Sequence, residues 1–246
     1  MATTRLKTHA AILERQELVA ESTWAFHFTK PAGFAFTPGQ AIDVILEDAP
    51  ATDAQSNRHT FSIVSAPFER ELVIATRMRA TAYKRELADL AEGARVGIEG
   101  PFGSLTLHRD RARAAVFIAG GIGITPFMSI LRQAARDPLR QRLALLYSNR
   151  RPEDAAFLQE LGALAEVNGN FRLIATMTAM AESTRGWKGA RGVIGEDLIR
   201  AAAQGLDSPI YYLAGPPSMV AGMRATLNVA GIEGDDMRAE EFYGYY

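Results

Sequence analysis

The sequence predicts two domains of different architecture, an N-terminal antiparallel β-barrel followed by a C-terminal parallel α/β domain. Up to about residue 100, short β-like segments are separated by turn signals such as Gly100-Pro101, which is typical of a small closed barrel. From about Ala114, strand-like and helix-like segments alternate, which indicates a parallel sheet covered by helices. The polar stretch Leu107–Arg113 separates the two patterns, so the predicted domains are 1–110 and 111–246.

Six predicted strands make up the barrel. Each is short, rich in residues that strands favour, and bounded by turn residues. They are Ala11–Leu18, Thr23–Thr29, Gln40–Leu46, His59–Val64, Glu71–Met78 and Arg95–Glu99.

Four strand–helix pairs make up the second domain. Each strand is a short apolar run, and each helix has the spacing of an amphipathic segment. The pairs are Ala115–Gly120 with Pro126–Arg136, Leu143–Ser148 with Asp154–Glu166, Phe171–Thr178 with Glu196–Gln204, and Pro209–Gly215 with Pro217–Gly231.

The turn after the first of these strands, Gly120-Gly121-Ile122-Gly123-Ile124-Thr125, has the composition of a phosphate-binding loop. Glycine lets backbone N–H groups approach an anion without a Cβ in the way. Thr125 can cap the following helix, and Pro126 suits its first turn. The positive end of the helix dipole would then face the phosphate. The spacing differs from the G-x-G-x-x-G dinucleotide fingerprint, so the turn predicts a phosphate site without that motif.

Composition and charge exclude several classes of function. The chain has 27 Lys and Arg residues against 28 Asp and Glu residues, a formal net charge of −1, so no basic excess points to nucleic acid. It has no cysteine, which rules out disulfides, nucleophilic thiols and Cys-ligated zinc or iron–sulfur centres, and we predict no metal site. The N-terminus lacks the apolar core of a signal peptide, and no run of about 18 apolar residues is present to span a bilayer. We therefore expect a cytoplasmic protein.

Five short motifs follow one another along the chain. They are Phe36-Thr37-Pro38-Gly39-Gln40, His59-Thr60-Phe61-Ser62, Gly100-Pro101-Phe102-Gly103, the Gly120–Pro126 turn and Ala214-Gly215-Pro216-Pro217. Because the motifs occur in this order and at this spacing, the chain resembles the ferredoxin–NADP reductase superfamily over nearly its whole length. The resemblance implies that the barrel binds FAD, that the α/β domain binds NAD(P)H, and that hydride transfer takes place where the two domains meet.

The resemblance places the flavin at His59-Thr60-Phe61-Ser62. Relatives usually carry Arg-x-Tyr-Ser/Thr here, with the arginine on the flavin phosphates, the ring against the isoalloxazine and the hydroxyl near its N5 atom, which is the role of Ser62. Because strand side chains alternate, only His59 shares a face with Phe61, so we favour His59 over Arg58 as the phosphate ligand. An imidazole, with an ordinary pKa of about 6.5, would lose this contact as the pH rises. The alternative is that His59 only packs on the barrel.

A second group of flavin-binding residues is implied between Arg77 and Lys84. In the family, a helix N-terminus at this position receives the flavin pyrophosphate. We assign Arg77, Thr81, Tyr83 and Lys84 to it, although the family more often has serine or threonine in place of Lys84. The alternative interpretation is a solvated cluster of positive charge.

The nicotinamide nucleotide is assigned to the α/β domain. The Gly120–Thr125 turn is expected to hold its pyrophosphate. Ala214, Gly215 and Pro216 stand at the carboxyl end of a predicted strand, the edge where open α/β sheets bind ligands. Many relatives have cysteine in place of Ala214, close to the nicotinamide, so we predict a slower hydride step in this chain.

The C-terminus is unusually aromatic. By resemblance, Glu240-Glu241-Phe242 is similar to the Glu-x-aromatic segment that closes the family's chains, so Phe242 is assigned to the flavin face. Together with Ser62 and Glu240, it forms the predicted catalytic group. Tyr245 is the alternative to Phe242, and an aromatic tail that seals a domain or dimer interface is the alternative to both.

These assignments predict an FAD-containing NAD(P)H reductase that passes electrons to a separate ferredoxin, iron–sulfur or haem protein, including a membrane-bound haem subunit. A flavin or ferric reductase with small diffusible acceptors, and a flavin-binding electron-transfer or regulatory subunit without turnover, stay open. Thr178-Ala179-Met180 replaces the Ser-Arg pair with which NADP-selective relatives bind the 2′-phosphate, but Arg150, Arg151 and Arg185 could supply that charge. The sequence therefore favours NADH slightly, and it does not indicate an oligomeric state.

Overall fold

The computed structural model describes residues 7–46, 57–137 and 141–243. Within these ranges, two six-stranded sheets follow one another along the chain. The first contains β1 (His9–Ala20), β2 (Thr23–Thr29), β3 (Ala41–Leu46), β4 (Arg58–Ser62), β5 (Glu71–Arg77) and β6 (Arg95–Phe102), with helix α1 (Ala82–Asp89) before β6. The second contains β7 (Ala115–Gly120), β8 (Leu143–Asn149), β9 (Phe171–Met177), β10 (Ala190–Arg191), β11 (Ile210–Gly215) and β12 (Met237–Glu241). Its helices are α2 (Thr125–Arg136), α3 (Leu158–Val167), α4 (Glu196–Ala203) and α5 (Pro217–Val229). No helix within the described ranges has both the length and the apolar character that crossing a membrane requires.

The first sheet closes into the predicted barrel. Its strands are antiparallel in the order β4-β3-β6-β1-β2-β5. The two end strands meet at a bridge between Ile63 and Ile74, and the N–H of Val64 donates to the carbonyl of Val73 (2.8 Å). Side chains such as Phe26 fill the interior and are fully enclosed. All six predicted strands are present, with ends that differ by a few residues.

The second sheet is parallel throughout, as predicted, in the order β10-β9-β8-β7-β11-β12. Strands β7 and β11 are buried at every residue, which explains their continuous apolar runs. The chain moves outward from β7 through β8 to β10 and then returns to β11 on the other side of β7. Because this reversal leaves a crevice at the carboxyl ends of β7 and β11, it is the expected place for a ligand.

Two helices begin differently from the prediction. A 3₁₀ turn over Gly121–Ile124 runs directly into α2, so Thr125 lies within the helix. Its hydroxyl donates to the carbonyl of Ile122 (3.0 Å) instead of capping the first turn. Helix α3 begins at Leu158 rather than Asp154, because Phe157 has a left-handed backbone (φ +59°) that an α-helix cannot contain.

An apolar cluster joins the two sheets. Val73 and Ala75 of the barrel pack in it with Phe127 of α2 and Tyr147 of β8, and all four are buried. Burial of this apolar surface holds the barrel against the parallel sheet. Residues at the ends of β4, β5, β7 and β11 therefore face one another across the junction.

Candidate functional site

A cleft of about 260 Å³ opens where the barrel meets the α/β half, and we call it the junction cleft. Strand β4 and Ala75 form its barrel wall, Ile122 and Thr125 form the opposite wall, and the C-terminal segment 240–243 forms its rim. The cleft brings together seven of the residues predicted to form the site, namely His59, Thr60, Phe61, Ser62, Thr125, Glu240 and Phe242.

Strand β4 presents alternate side chains to opposite faces. The guanidinium of Arg58 lies on one face, 2.8 Å from the carboxylate of Glu99 and 3.2 Å from that of Asp43. The hydroxyl of Thr60 donates to Asp43 on the same face (2.5 Å). His59 lies on the other face together with Phe61. His59 and Phe61 thus share a face, as the alternation predicted; the choice of His59 over Arg58 as the phosphate ligand stays a prediction.

The rings of His59 and Phe61 line the barrel end of the junction cleft, and the ring of Tyr83 packs against both from outside the lining. The His59 imidazole lies 4.9 Å from the ring of Phe61 and 5.4 Å from that of Tyr83, both edge to face. Partial desolvation and the positive charge of Lys84 lower the pKa of His59, and the carboxylate of Asp43 opposes them. The hydroxyl of Tyr83 donates to the carbonyl of Val44 (3.0 Å), which leaves its ring as the part that faces His59.

The start of α1 places positive charge beside these rings. Thr81 is the N-cap, and its hydroxyl accepts from the N–H of Lys84 (3.3 Å). The Lys84 side chain is only 2% exposed, and its ammonium donates to the carbonyl of Arg77 (2.8 Å). Burial and the nearby charge of Arg79 lower the pKa of Lys84 to about 8.

A second cleft of about 510 Å³ lies at the carboxyl ends of the parallel strands, and we call it the strand-end cleft. Gly120, Gly121 and Pro216 line it, as the sequence predicted. Arg77 lines it as well and contacts the carboxylate of Asp154 (3.4 Å). The end of β5 thus directs this side chain toward the parallel sheet, and the predicted grouping of Arg77 with the flavin-binding residues stays a prediction.

The three glycines of the turn have different roles. Gly121 has a left-handed backbone (φ +52°), and a Cβ on it would meet no atom within 4 Å, so its backbone is open to a ligand. A Cβ on Gly120 would collide with the sulfur of Met219, and one on Gly123 would collide with the carbonyl of Ala214. Gly123 is thus required for packing against backbone, whereas a Cβ at Gly120 would require the flexible side chain of Met219 to move. Of the three, only Gly121 fits the predicted reason for a glycine.

The C-terminal segment reaches the junction cleft through strand pairing. Strand β12 pairs with β11, and the N–H of Phe242 donates to the carbonyl of Gly215 (2.9 Å). Phe242 and Glu240 line the cleft together with Ser62, and burial raises the pKa of Glu240. Ala214 is fully buried and lines neither cleft. Tyr245 lies outside the described residues.

The arginines considered for the coenzyme's 2′-phosphate are engaged or distant. Arg150 lines the strand-end cleft and is paired with Glu182 (2.6 Å). Arg151 binds both carboxylate oxygens of Asp154 (2.9 and 3.0 Å), and these hydrogen bonds lower the pKa of Asp154. Arg185 lines a separate groove.

Several residues of the strand-end cleft were not predicted from the sequence as binding residues, and Thr178 was considered only as a replacement for the Ser-Arg pair of NADP-selective relatives. They are Arg79, Ser148, Asn149, Asp154 and Thr178. A signal for some of them was available. Ser148, Asn149 and Thr178 stand at or just after the carboxyl ends of predicted strands, the sheet edge that binds ligands in this architecture.

Comparison with known proteins gives three kinds of match. Residues 117–225 match a family model described as an oxidoreductase NAD-binding domain. The chain is 31% identical over 198 residues to ferredoxin–NADP reductase B of Sorangium cellulosum, and the match covers 78% of each protein. It is 27% identical over 241 residues to XylA, the electron transfer component of a xylene/toluene monooxygenase of Pseudomonas putida. That match covers 95% of this chain, which spans 65% of the length of XylA.

A solved structure shows the same fold. The cytochrome P450 reductase GcoB of Amycolatopsis superposes with a TM-score of 0.80 over 98% of this chain and 72% of GcoB. The two sequences are 21% identical, so this likeness concerns the arrangement of the barrel and the parallel sheet.

Proposed function

We propose that this chain, which belongs to the ferredoxin–NADP reductase superfamily, is a flavin-dependent NAD(P)H reductase. It would pass electrons to a separate acceptor. FAD would be bound within residues 1–110 and NAD(P)H within residues 111–246. One observation carries the proposal. The junction cleft joins an aromatic pocket of the barrel to the glycine turn of the sheet and to the C-terminal aromatic residue.

The donor set of the barrel fits FAD. The ring of Phe61 would pack against the isoalloxazine, and the hydroxyl of Ser62 lines the cleft at the same wall. Lys84 would supply positive charge for the phosphates, His59 would do so in its protonated form, and the N-terminus of α1 adds its dipole. Thr81 supports this site as the N-cap of α1.

The strand-end cleft fits the coenzyme. Its open glycine, Gly121, starts the 3₁₀ turn that leads into α2, where backbone N–H groups and the helix dipole favour a diphosphate. Arg77 and Arg79 line the same cleft from the barrel side. The glycine turn borders both clefts, since Gly121 lines one and Ile122 lines the other. A coenzyme diphosphate at this turn would therefore lie next to the flavin site.

When bound, FAD supplies a ring that accepts a hydride from NAD(P)H and then releases electrons to the acceptor. The chain's own residues would orient the two rings and exclude water. Phe242 would cover the flavin face until the nicotinamide arrives, and Ser62 would donate a hydrogen bond near the reacting nitrogen. Glu240, whose pKa burial raises, can hold a proton at the rim of the cleft.

The contacts of the arginines support NADH as the preferred coenzyme. Arg150 is the arginine of the α/β half that lines the strand-end cleft, and the carboxylate of Glu182 already pairs with it. A 2′-phosphate would have to displace that carboxylate and would meet its negative charge. The adenosine of NADH carries no such phosphate.

A separate electron-acceptor protein is the proposed partner. XylA is an electron transfer component of a monooxygenase system, and the chain matches 65% of its length. By analogy, the acceptor of this chain would be an oxygenase component, a ferredoxin or a haem protein. The cytoplasmic location stays a prediction.

The test is the absorbance spectrum of the purified protein between 300 and 550 nm, before and after anaerobic addition of NADH or NADPH. A yellow protein that bleaches supports the proposal and names the coenzyme. A yellow protein that does not bleach indicates a subunit without turnover, and a colourless protein that reduces added flavin indicates a flavin reductase. Ser62→Ala should bleach more slowly, whereas Ser104→Ala, at an exposed serine outside both clefts, should match the wild type.

A further inference from the structure

A single carboxylate connects the loop that follows β9 to the segment that follows β8. We call residues 178–189, between β9 and β10, the β9 loop. Glu153 belongs to a short 3₁₀ turn beyond the end of β8. Its Oε1 accepts from the backbone N–H groups of Thr184 (2.8 Å) and Arg185 (3.2 Å) and from the hydroxyl of Thr184 (2.9 Å). The hydroxyl of Ser183 donates to Oε2 (2.9 Å).

These hydrogen bonds keep Glu153 in its charged form. Desolvation raises the pKa of this carboxyl, but hydrogen bonds from its own backbone N–H, from Ser183 and from Thr184 outweigh it and lower the pKa to about 2. Thr184 and Arg185 are exposed to solvent, so apolar burial contributes little to the position of this part of the β9 loop. The loop is therefore held mainly by hydrogen bonds to an ion.

Glu153 is itself held by the barrel. Its backbone carbonyl accepts from the N–H of Glu21 (2.8 Å), which lies in the turn between β1 and β2. The neighbouring Arg151 pairs with the carboxylates of Glu21 (2.8 Å) and Asp154 (2.9 Å). Because the segment that carries Glu153 is fixed from the opposite side, its side chain can determine where the β9 loop lies.

The β9 loop borders the half of the strand-end cleft that lies away from the junction cleft. In the sheet order β9-β8-β7-β11-β12, β7 leads into the glycine turn, and the end of β12 lines the junction cleft. A coenzyme with its diphosphate at that turn and its nicotinamide in the junction cleft extends its adenosine over the ends of β8 and β9. Thr178, the first residue of the β9 loop, lines the strand-end cleft there with Ser148 and Asn149.

We infer that Glu153 is a positioning residue for the coenzyme, because its carboxylate holds the β9 loop beside the part of the strand-end cleft that receives the adenosine. This inference rests on the proposed function. Without the carboxylate, the loop would sample other positions, and the apparent Kd of an adenosine ligand would rise as the fraction of molecules with the loop in place falls. A fraction of about one in ten corresponds to a tenfold increase in Kd.

The first test measures the loop and the adenosine site without turnover. ADP-ribose, which is NAD⁺ without its nicotinamide, is titrated calorimetrically into the flavin-containing protein, and trypsin cleavage after Arg185 is followed by mass spectrometry. Glu153→Ala should weaken ADP-ribose binding by about tenfold and accelerate this cleavage by about tenfold or more. ADP-ribose should slow the cleavage in the wild type. Glu166→Ala, at an exposed glutamate of α3 outside both clefts, should match the wild type in both measurements.

The second test compares NADH with reduced nicotinamide mononucleotide, which lacks the adenosine, as reductants of the flavin in an anaerobic stopped-flow instrument. For NADH, Glu153→Ala should raise the half-saturating concentration by about tenfold and change the limiting rate constant by less than about twofold. For reduced nicotinamide mononucleotide, the second-order rate constant should stay within about twofold of the wild-type value. A general loss of structure would instead slow the reaction of both reductants.

Ser183→Ala together with Thr184→Ala provides a second variant if Glu153→Ala does not fold. It removes the two hydroxyl donors, keeps the carboxylate, and should weaken ADP-ribose binding by about threefold or more. Unchanged ADP-ribose binding, unchanged cleavage after Arg185, or equal losses with the two reductants would overturn the inference alone. A wild-type flavin that neither NADH nor NADPH reduces would overturn the proposed function and this inference together.

Discussion

Replacement of His59 tests the flavin phosphate site through its dependence on pH. In the proposed site, a phosphate would stabilise the imidazolium and raise the pKa of His59 above its value in the free protein, which desolvation and Lys84 lower. Affinity for FAD should therefore be highest at acid pH, fall as the pH rises from the pKa of His59 in the free protein to its pKa in the complex, and level off above that. His59→Arg should bind FAD at every pH with about the affinity that the wild type has at acid pH. His59→Gln should bind FAD at every pH with the lower affinity that the wild type has at high pH.

The expected magnitude follows from the exposure of the side chain. A hydrogen bond between charged groups contributes about 1.5–3 kcal/mol when it is sheltered from water, and an exposed ion pair contributes about 1 kcal/mol or less. His59 is exposed on one side, and Phe61 and Tyr83 cover the other. A value between these two cases, about 1–1.5 kcal/mol, corresponds to a change in Kd of roughly five- to twelvefold.

The assay is a titration of the flavin-free protein with FAD, followed by the quenching of flavin fluorescence, between pH 5.5 and pH 7.5. This range stays below the pKa of Lys84, which is about 8 in the free protein, so that loss of the ammonium charge does not contribute. Arg58→Gln is the matched control, because that side chain pairs with Asp43 and Glu99 on the opposite face of the strand. It should leave the pH dependence unchanged.

Two results would refute this reasoning. If His59→Gln retained the wild-type pH dependence, another group would be responsible for it. If Arg58→Gln weakened FAD binding across the whole pH range while His59→Gln did not change it, Arg58 and not His59 would be the phosphate ligand.

Three further predictions concern the coenzyme and the glycine turn. Glu182→Gln should raise kcat/KM for NADPH relative to NADH by about three- to fivefold, because it removes the carboxylate that pairs with Arg150; an unchanged ratio in steady-state assays would contradict this. Arg77→Gln should weaken NAD⁺ binding by about tenfold and change the affinity for FAD by less than about twofold in parallel titrations. Weaker FAD binding with unchanged NAD⁺ binding would assign Arg77 to the flavin site instead. Gly123→Ala should lower the thermal midpoint by roughly 3–10 °C, since its Cβ would meet backbone atoms, whereas Gly162→Ala in α3, where a Cβ meets nothing within 4 Å, should not lower it.

The features set by local periodicity could be predicted from the sequence. Strands β7 and β11 are buried at every residue. Because a strand that is covered on both faces is a continuous apolar run, it can be recognised from its own residues alone. The placement of His59 on the same face as Phe61 required only the two-residue period of a strand. Both follow from the backbone geometry of a single element, so the rest of the fold was not needed.

Features that depend on packing between elements could not be predicted in this way. The polar sequence MRAEE of β12 gives no strand signal, and the segment forms a strand because β11 offers it a free edge. Arg77 reaches the strand-end cleft because the barrel packs against the parallel sheet. The packing roles of Gly120 and Gly123 depend on Met219 and Ala214, which lie about a hundred residues further along the chain.

The distribution of charge connects the two clefts to one kind of ligand. The chain's net charge of −1 gives no hint of an anion site, yet arginines line the strand-end cleft, where Arg151 binds the carboxylate of Asp154. The junction cleft beyond it is different, because burial favours the protonated form of Glu240 and aromatic rings cover its barrel end. A nicotinamide dinucleotide matches this division. Its charged diphosphate would remain among the arginines of the strand-end cleft, and its aromatic nicotinamide end would enter the junction cleft. The proposed direction of the nicotinamide, toward Phe61 and Phe242, thus follows from electrostatics as well as from shape.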